Sequence, residues 1–203
     1  MPETPPHLVL PGFLPEENVA ALLADALAME ARFKPSTINY GNGGQGVDPR
    51  HRISATLAEF GPQQAVFRQR LQEEMQRLRA ALNVMAFTHI RTEIELVAHN
   101  DGAFFTRHLD GSHPGQRQPG HPMRMISGVY YFHREPKGFG GGQLRLYGAA
   151  PEAAPLDVEP LHNSLVVFPS WLPHEVMKVS CPSRRFADSR FAINCWFHGV
   201  PKG

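Results

Sequence analysis

The chain has little that would staple it or anchor it. It holds only two cysteines in 203 residues, Cys181 and Cys195, too few for the disulfide framework of a small secreted scaffold. Both are expected as buried free thiols in a reducing compartment. No apolar run approaches the roughly 18 residues of a membrane-spanning helix. The opening Met1-Pro-Glu-Thr-Pro-Pro6 lacks the basic-then-apolar pattern of a secretory leader. The expectation is a cytoplasmic protein with no membrane partner. Charge of one sign is also lacking: the formal net charge is +1, which argues against a broad nucleic-acid footprint. There is no Gly-x-Ser-x-Gly elbow to support a Ser-His-Asp hydrolase. The glycine-rich stretch from Tyr40 to Pro49 follows no clear strand and lacks the lysine of a phosphate loop, which excludes nucleotide binding there. It reads either as a flexible surface loop or as a lid over a site. No internal repeat and no interdomain linker is visible.

What is present suits one domain spanning 1–203. Apolar residues make up 42% and charged residues 19%, ordinary values for a globular chain able to bury a core. With 18 glycines and 19 prolines, many turns and short strands are expected. Residues 7–13 read as a short strand closed by Pro-Gly. Pro15-Glu16-Glu17 opens a helix, because proline suits the first turn and acids suit the N-terminus. Val19, Leu22, Leu23, Ala26 and Leu27 carry its periodicity to about Phe33. A second helix spans about 62–82, with Phe67, Leu71, Met75, Leu78 and Leu82 as its apolar stripe. After Asn83 the pattern changes to strands at about 88–98, 103–108, 123–133, 143–147, 156–159, 164–168, 174–179 and 190–198. Helices over about 1–83, then about eight strands over 84–203, predict a mainly β fold: a β-sandwich or barrel with helices packed outside. The segment 111–122 is a long polar loop, either bordering a site or plain coil.

The chemistry concentrates in Phe104-Phe-Thr-Arg-His108-Leu-Asp110 and in His174 of Trp171-Leu-Pro-His-Glu-Val176. Side chains at i and i+2 of an extended strand leave the same face, so His108 and Asp110 can converge on one ion. With the distant His174 they make the ligand set of the two-histidine, one-carboxylate facial triad, which binds Fe(II) and leaves open positions. Such a site needs an oxidisable co-substrate. If that is 2-oxoglutarate, its far carboxylate calls for a planar arginine fork, and a tyrosine hydroxyl nearby could add a bond. Arg190 and Tyr130 are the candidates.

Four segments together resemble the prolyl 4-hydroxylase and hypoxia-type prolyl hydroxylase branch of the 2-oxoglutarate- and Fe(II)-dependent dioxygenases. They are His99-Asn-Asp-Gly102-Ala-Phe-Phe-Thr-Arg-His108-Leu-Asp110; Arg124 to Phe132; Gly141-Gly142-Gln143-Leu144; and Leu165-Val-Val-Phe-Pro-Ser170 followed by His174-Glu175-Val176, Arg190 and Trp196. They occur in family order over about residues 90–198. The resemblance implies a double-stranded β-helix, or jelly-roll, core over about 84–203 with the helices as a buttress. It implies Fe(II), 2-oxoglutarate and O2, with ascorbate as a possible reductant. His108, Asp110 and His174 take the iron-ligand places. Arg190 takes the place of the residue holding the far carboxylate, and Tyr130 that of its tyrosine partner. Trp196 and Arg124 fall on the substrate side, and Arg50-His51-Arg52-Ile53-Ser54 in the region that closes over substrate. The activity implied is hydroxylation of an unactivated C–H bond, most simply of a prolyl residue in a peptide or protein.

Two features depart from the family pattern. His99 stands where tyrosine is usual, and is expected as a hydrogen-bond donor in the co-substrate pocket. The segment Cys181 to Ser189 lengthens the spacing from histidine to arginine, so Arg184 and Arg185 compete with Arg190 for the carboxylate; the strand pattern Phe-Ala-Ile-Asn-Cys-Trp after Arg190 favours it. Three alternatives stay open: a hydroxylase of another residue or of a small-molecule intermediate, a non-catalytic metal-binding jelly-roll module, and a zinc hydrolase on the same three ligands, which would leave Arg190 and its tyrosine without a role.

Overall fold

The computed structural model describes residues 4–39, 44–112, 120–148 and 154–202. In chain order the elements are β1 (Leu8–Pro11), α1 (Glu16–Ala28), β2 (Lys34–Pro35), β3 (Ile38–Asn39), β4 (Gln45–Gly46), β5 (Arg52–Ile53), β6 (Ala55–Leu57), α2 (Gln63–Ala81), β7 (Phe87–His99), β8 (Phe104–His108), β9 (Met123–Phe132), β10 (Gly140–Gly141), β11 (Leu144–Leu146), β12 (Leu156–Val158), β13 (Ser164–Pro169), β14 (His174–Val176), β15 (Val179–Ser180) and β16 (Arg190–Pro201). A seven-stranded sheet runs β1-β13-β9-β16-β7-β6-β2, and a five-stranded sheet runs β12-β11-β14-β8-β5. This is the expected jelly-roll core.

Two hydrophobic layers hold it. Between the sheets, Tyr131, Val166, Phe168 and Ala192 of the larger sheet meet Leu144, Leu146 and Val158 of the smaller. On the outer face of the larger sheet, Phe67, Leu71 and Leu78 of α2 and Val19, Leu22 and Ala26 of α1 pack with Leu96, Tyr130, Leu165, Phe191, Ile193 and Phe197. The central strands are therefore covered on both sides, which is why β13 is buried at every position and reads in the sequence as a continuous apolar run. Along β16 the side chains alternate: Phe191, Ile193, Cys195 and Phe197 face the helices, while Arg190, Asn194 and Trp196 face the interior cavity.

The expected boundaries shift modestly. Helix α1 stops at Ala28 and a short 3-10 turn, Glu30–Arg32, completes the segment. The expected strand 174–179 divides into β14 and β15, and β16 runs on to Pro201. The short strands β2 to β6 carry too few residues for periodicity to reveal. In the glycine-rich stretch, residues 40–43 lie outside the described residues, and its flanks pair as the β3–β4 hairpin. Of the polar loop 111–122, residues 113–119 lie outside them.

Candidate active site

The register of the three central strands sets the cavity. Rows of inward side chains cross β7, β16 and β9: Glu93, Trp196 and Ser127; then Glu95, Asn194 and Val129; then Val97, Ala192 and Tyr131; then His99 with Arg190. The smaller sheet closes the other side with His108 on β8 opposite His174 on β14. The space between is a cavity of about 500 Å³ lined by the polar residues of these rows on β7 and β16 and by His108 and His174, with Thr37, Ile38, Asn39 and Gln45 of the β3–β4 hairpin segment also lining it.

His108, Asp110 and His174 converge. The His108 Nε2 lies 3.6 Å from Asp110 Oδ1, and the His174 Nε2 lies 3.5 Å from Asp110 Oδ2. Donors about 2.1 Å from a common ion sit roughly 3 Å apart or slightly more, so a small contraction accommodates a metal. Each imidazole is oriented for it. Nδ1 of His108 donates to the Thr106 carbonyl at 2.8 Å, and Nδ1 of His174 to the Leu172 carbonyl at 2.9 Å. That leaves both Nε2 lone pairs pointing inward. Phe105 stacks on His108 with ring centres 3.6 Å apart, and Phe168 meets His174 edge-on at 4.7 Å. Burial, followed by the neighbouring His174, brings the His108 pKa down to about 4, the neutral form a metal requires. Burial alone would raise the Asp110 pKa; His174, His108, Trp196 and Ser127 outweigh it, and the carboxyl stays below its ordinary range.

Asp110 lies just beyond β8, and its backbone N–H donates to the Ser170 carbonyl. Its Oδ2 accepts from Ser127 Oγ at 2.7 Å and from Trp196 Nε1 at 2.8 Å. Trp196, expected on the substrate side, thus also orients the acid. Arg124 does line the cavity: its guanidinium lies 4.0 Å over the Trp196 ring and donates to Glu93 Oε1 at 2.9 Å.

At the other end, Arg190 is 1% exposed. Nη1 faces His99 Nδ1 at 3.2 Å. Arginine cannot accept, so His99 Nδ1 must, which puts the histidine's proton on Nε2. Burial first, then the positive charges of Arg190 and Arg52, push the His99 pKa far down, consistent with a neutral ring. The Nε and Nη2 of Arg190 and the hydroxyl of Tyr131 are buried without a hydrogen-bond partner among the described residues. No carboxylate pairs with this arginine there. The guanidinium lies 4.7 Å from the Tyr131 ring centre, and burial lowers the Arg190 pKa, partly offset by Tyr131. An uncompensated buried cation is costly. The residues therefore fit a dianionic co-substrate whose far carboxylate reaches Arg190 and Tyr131.

Arg184 and Arg185 do not reach the cavity. Their side chains are 79% and 63% exposed, paired with Asp101 and Asp188. The expectation for Tyr130 is corrected. Tyr130 points to the helix side, packs on Phe13 and Phe67, and donates to Asn163 Oδ1 at 3.0 Å. Asn163 in turn bonds Leu14 and Glu16, so Tyr130 helps tie the N-terminal segment to the sheet. The reason lies in β9. The pairing to β16 steps from Ile126 to Arg124, skipping Met125, so a bulge inverts the parity. Counting by twos from Arg124 lands on Tyr130, but the cavity face carries Ser127, Val129 and Tyr131.

Sequence reasoning also passed over Ser127, Ser170, Glu93, Glu95 and Asn194. The polar parity along β7 and β16, Glu93-x-Glu95 and Arg190-x-x-x-Asn194-x-Trp196, is the signal that would have found three of them. A second group, His133, Glu135 and His162, also brings potential metal ligands within 4.8 Å of one another. There, Nδ1 of His162 accepts the His133 backbone N–H and Nδ1 of His133 donates to the Arg134 carbonyl, so a backbone group occupies one nitrogen of each ring.

Comparison with known proteins agrees with this geometry. The model of the family described as the 2OG-Fe(II) oxygenase superfamily matches residues 94–198. An uncharacterized PKHD-type hydroxylase of Synechocystis sp. (strain ATCC 27184 / PCC 6803 / Kazusa) is 39% identical over 139 residues, covering 65% of this chain and 44% of the relative. The match thus spans less than half of that protein's length. Among solved structures, a prolyl-4-hydroxylase of Pseudomonas putida superposes with a TM-score of 0.64 at 26% identity, covering 98% of this chain and 95% of the other. A prolyl hydroxylase of Trichoplax adhaerens, solved with a hypoxia inducible factor peptide fragment, has a TM-score of 0.72 at 19% identity, covering 97% and 84%; that likeness is one of fold.

Proposed function

Because the chain belongs to the 2OG-Fe(II) oxygenase superfamily, whose members use Fe(II), 2-oxoglutarate and O2, we propose that it hydroxylates an unactivated C–H bond of a prolyl residue in a peptide or protein. The observation that carries the oxygenase reading is the buried Arg190, which among the described residues has no carboxylate partner, beside a Tyr131 hydroxyl that has no hydrogen-bond partner among them. A zinc hydrolase on the same ligands would leave that cation uncompensated.

In this reading His108, Asp110 and His174 hold the iron. Arg190 and Tyr131 hold the far carboxylate of 2-oxoglutarate, and the neutral His99 fixes the arginine while presenting its own Nε2 proton. The bound iron and 2-oxoglutarate supply the oxidising chemistry. The chain's contribution is placement. Thr106 and Leu172 carbonyls keep both ligand imidazoles in one tautomer. Ser127 and Trp196 turn the Asp110 carboxylate inward. The apolar walls Val129, Leu144 and Val176 limit water around the reacting centre. The prolyl substrate is supported by the likeness to the P. putida enzyme and by a cavity of about 500 Å³ that extends from the triad to the β3–β4 hairpin. Two buried free cysteines fit a reducing compartment, which we take as the cytoplasm.

The test is Fe(II)-dependent conversion of 2-oxoglutarate to succinate, followed by NMR with a panel of proline-containing peptides and free proline. Turnover stimulated by a peptide, with hydroxyproline formed, is the expected result. Turnover indifferent to every proline compound would discard the substrate. Absence of 2-oxoglutarate binding would discard the oxygenase reading.

A further inference from the structure

Two glutamates on the cavity face of β7 differ in one respect. Both oxygens of Glu93 are engaged, Oε1 by Arg124 at 2.9 Å and Oε2 by His198 at 2.8 Å. Glu95 is engaged through Oε1 alone, by Arg52 Nη2 at 3.2 Å and, more loosely, by Asn194 Nδ2 at 3.4 Å. Its Oε2 has no partner among the described residues, although the side chain is only 24% exposed. The second oxygen of a carboxylate held in this way is open to a donor on a guest in the cavity.

The surroundings hold that carboxylate still. Arg52 is committed on every side: Nε donates to Ser54 Oγ at 2.9 Å, Nη1 to the Thr37 carbonyl at 3.3 Å, and Nη2 to Glu95. Its guanidinium lies 5.0 Å from the centre of the Phe105 ring, and Phe105 is stacked on His108. Glu95, Arg52, Phe105 and His108 are thus successive contacts along the wall of one cavity, which His108, Asp110 and His174 also line. A fixed acceptor of this kind has its ordering cost met before binding.

Charge decides the class of donor. The cavity is lined by four arginines (Arg52, Arg107, Arg124 and Arg190) and three carboxylates (Glu93, Glu95 and Asp110). With the histidines counted as neutral, one positive charge remains, and a divalent metal with dianionic 2-oxoglutarate leaves that balance unchanged. Such a site has no need of a cationic guest. A neutral N–H donor suits it, and the neighbouring Arg124 offers N–H groups to a carbonyl. An amide link presents both.

We propose that Glu95 is a substrate-recognition residue, whose free Oε2 accepts the backbone N–H that follows the hydroxylated residue of a peptide substrate, with Arg52 and Asn194 positioning it. This rests on the peptide reading given above. It specifies a peptide linkage on the C-terminal side of the target, since a prolyl nitrogen inside a chain carries no hydrogen itself.

The test measures binding, so that it does not depend on turnover. The protein is loaded with Mn(II) and 2-oxoglutarate, and dissociation constants are obtained by NMR titration for three probes: N-acetyl-Ala-Pro-Gly amide, the same compound with the Pro-Gly amide replaced by an ester, and free L-proline. The expected result is at least a tenfold preference for the amide over the ester. Glu95→Ala should erase that preference, and Glu95→Gln, which keeps an acceptor oxygen, should retain part of it. Equal binding of amide and ester, a preference that survives Glu95→Ala, or binding of free proline but neither blocked peptide would overturn the proposal while leaving the oxygenase reading intact. Failure of 2-oxoglutarate itself to bind the Mn(II) protein would overturn both.

Discussion

The guanidinium carbon of Arg190 lies 4.7 Å from the centre of the Tyr131 ring, and both side chains end in buried polar atoms that have no hydrogen-bond partner among the described residues. Tyr130, next in sequence, has its hydroxyl bonded to Asn163 on the opposite face. The two tyrosines should therefore respond differently to the same change. Tyr131→Phe removes one hydrogen bond to a charged ligand and is expected to weaken 2-oxoglutarate binding roughly tenfold with little effect on Tm. Tyr130→Phe should lower stability by about 1 kcal/mol and leave 2-oxoglutarate affinity unchanged. Titration calorimetry with the metal-loaded protein, beside thermal melts of both variants, checks the contrast. An affinity loss in Tyr130→Phe alone would reverse the assignment.

His99 is neutral and buried in the fold, with its pKa held far below the ordinary histidine value of 6.5. As pH falls below that value the unfolded chain takes up a proton that the native chain refuses. The unfolded state then binds more protons, so stability is complete above about pH 6.5 and declines below it. His108, brought down to about 4, adds to the same decline between 6.5 and 4 in the metal-free protein. His99→Gln keeps an acceptor for Arg190 and removes one titrating group. The expected outcome is a shallower loss of Tm from pH 7 to pH 5 than in the parent, read by thermal melts at fixed ionic strength.

The contrast between what the sequence conveyed and what it concealed follows from range. Strands β7, β9, β13 and β16 are long and apolar enough for pattern to expose them, and the His108, Asp110 and His174 set was visible because two of the three sit at i and i+2. Tyr130 and Tyr131 are adjacent on one strand and so face opposite ways; only the register distinguishes them, and the bulge at Met125 shifts that register within β9. Arg190 could not be separated from Arg184 and Arg185 by spacing alone; burial in the register opposite His99 separates them. Glu95 is marked in the sequence only by its alternation with Glu93, because a lone glutamate on a half-buried strand is ordinary until its partners are counted.

Gly142 makes the close approach that Arg190 needs. Its φ is +72°, and a Cβ there would meet Arg190 Cδ at 2.7 Å and Val179 Cγ2 at 2.9 Å. Gly142→Ala therefore introduces both backbone strain and a collision with the arginine stem. The expected result is a rise of about tenfold or more in the 2-oxoglutarate KM, with a loss of stability of about 1–3 kcal/mol. Gly140→Ala, where no atom lies within 4 Å of the added carbon, is the control and should change neither. The pair is read by 2-oxoglutarate saturation curves and melts.

Trp196 links the Asp110 carboxylate to the Arg124 guanidinium in the cavity wall. Its indole N–H donates to Asp110 Oδ2 at 2.8 Å, and its ring carries the Arg124 guanidinium at 4.0 Å. Trp196→Phe keeps most of the ring and the stacking face but deletes the donor. Groups that orient a metal's ligands change its affinity by roughly 10–100-fold when lost. Ser127 Oγ still holds the same oxygen at 2.7 Å, so the expected loss lies at the lower end of that range. Ser127→Ala with Trp196→Phe should exceed either change alone, because Asp110 Oδ2 then keeps neither donor. Mn(II) titration followed by water-proton relaxation reads the affinity directly. Unchanged affinity in the double variant would mean that the backbone contact from Ser170 to Asp110 suffices to hold the carboxylate.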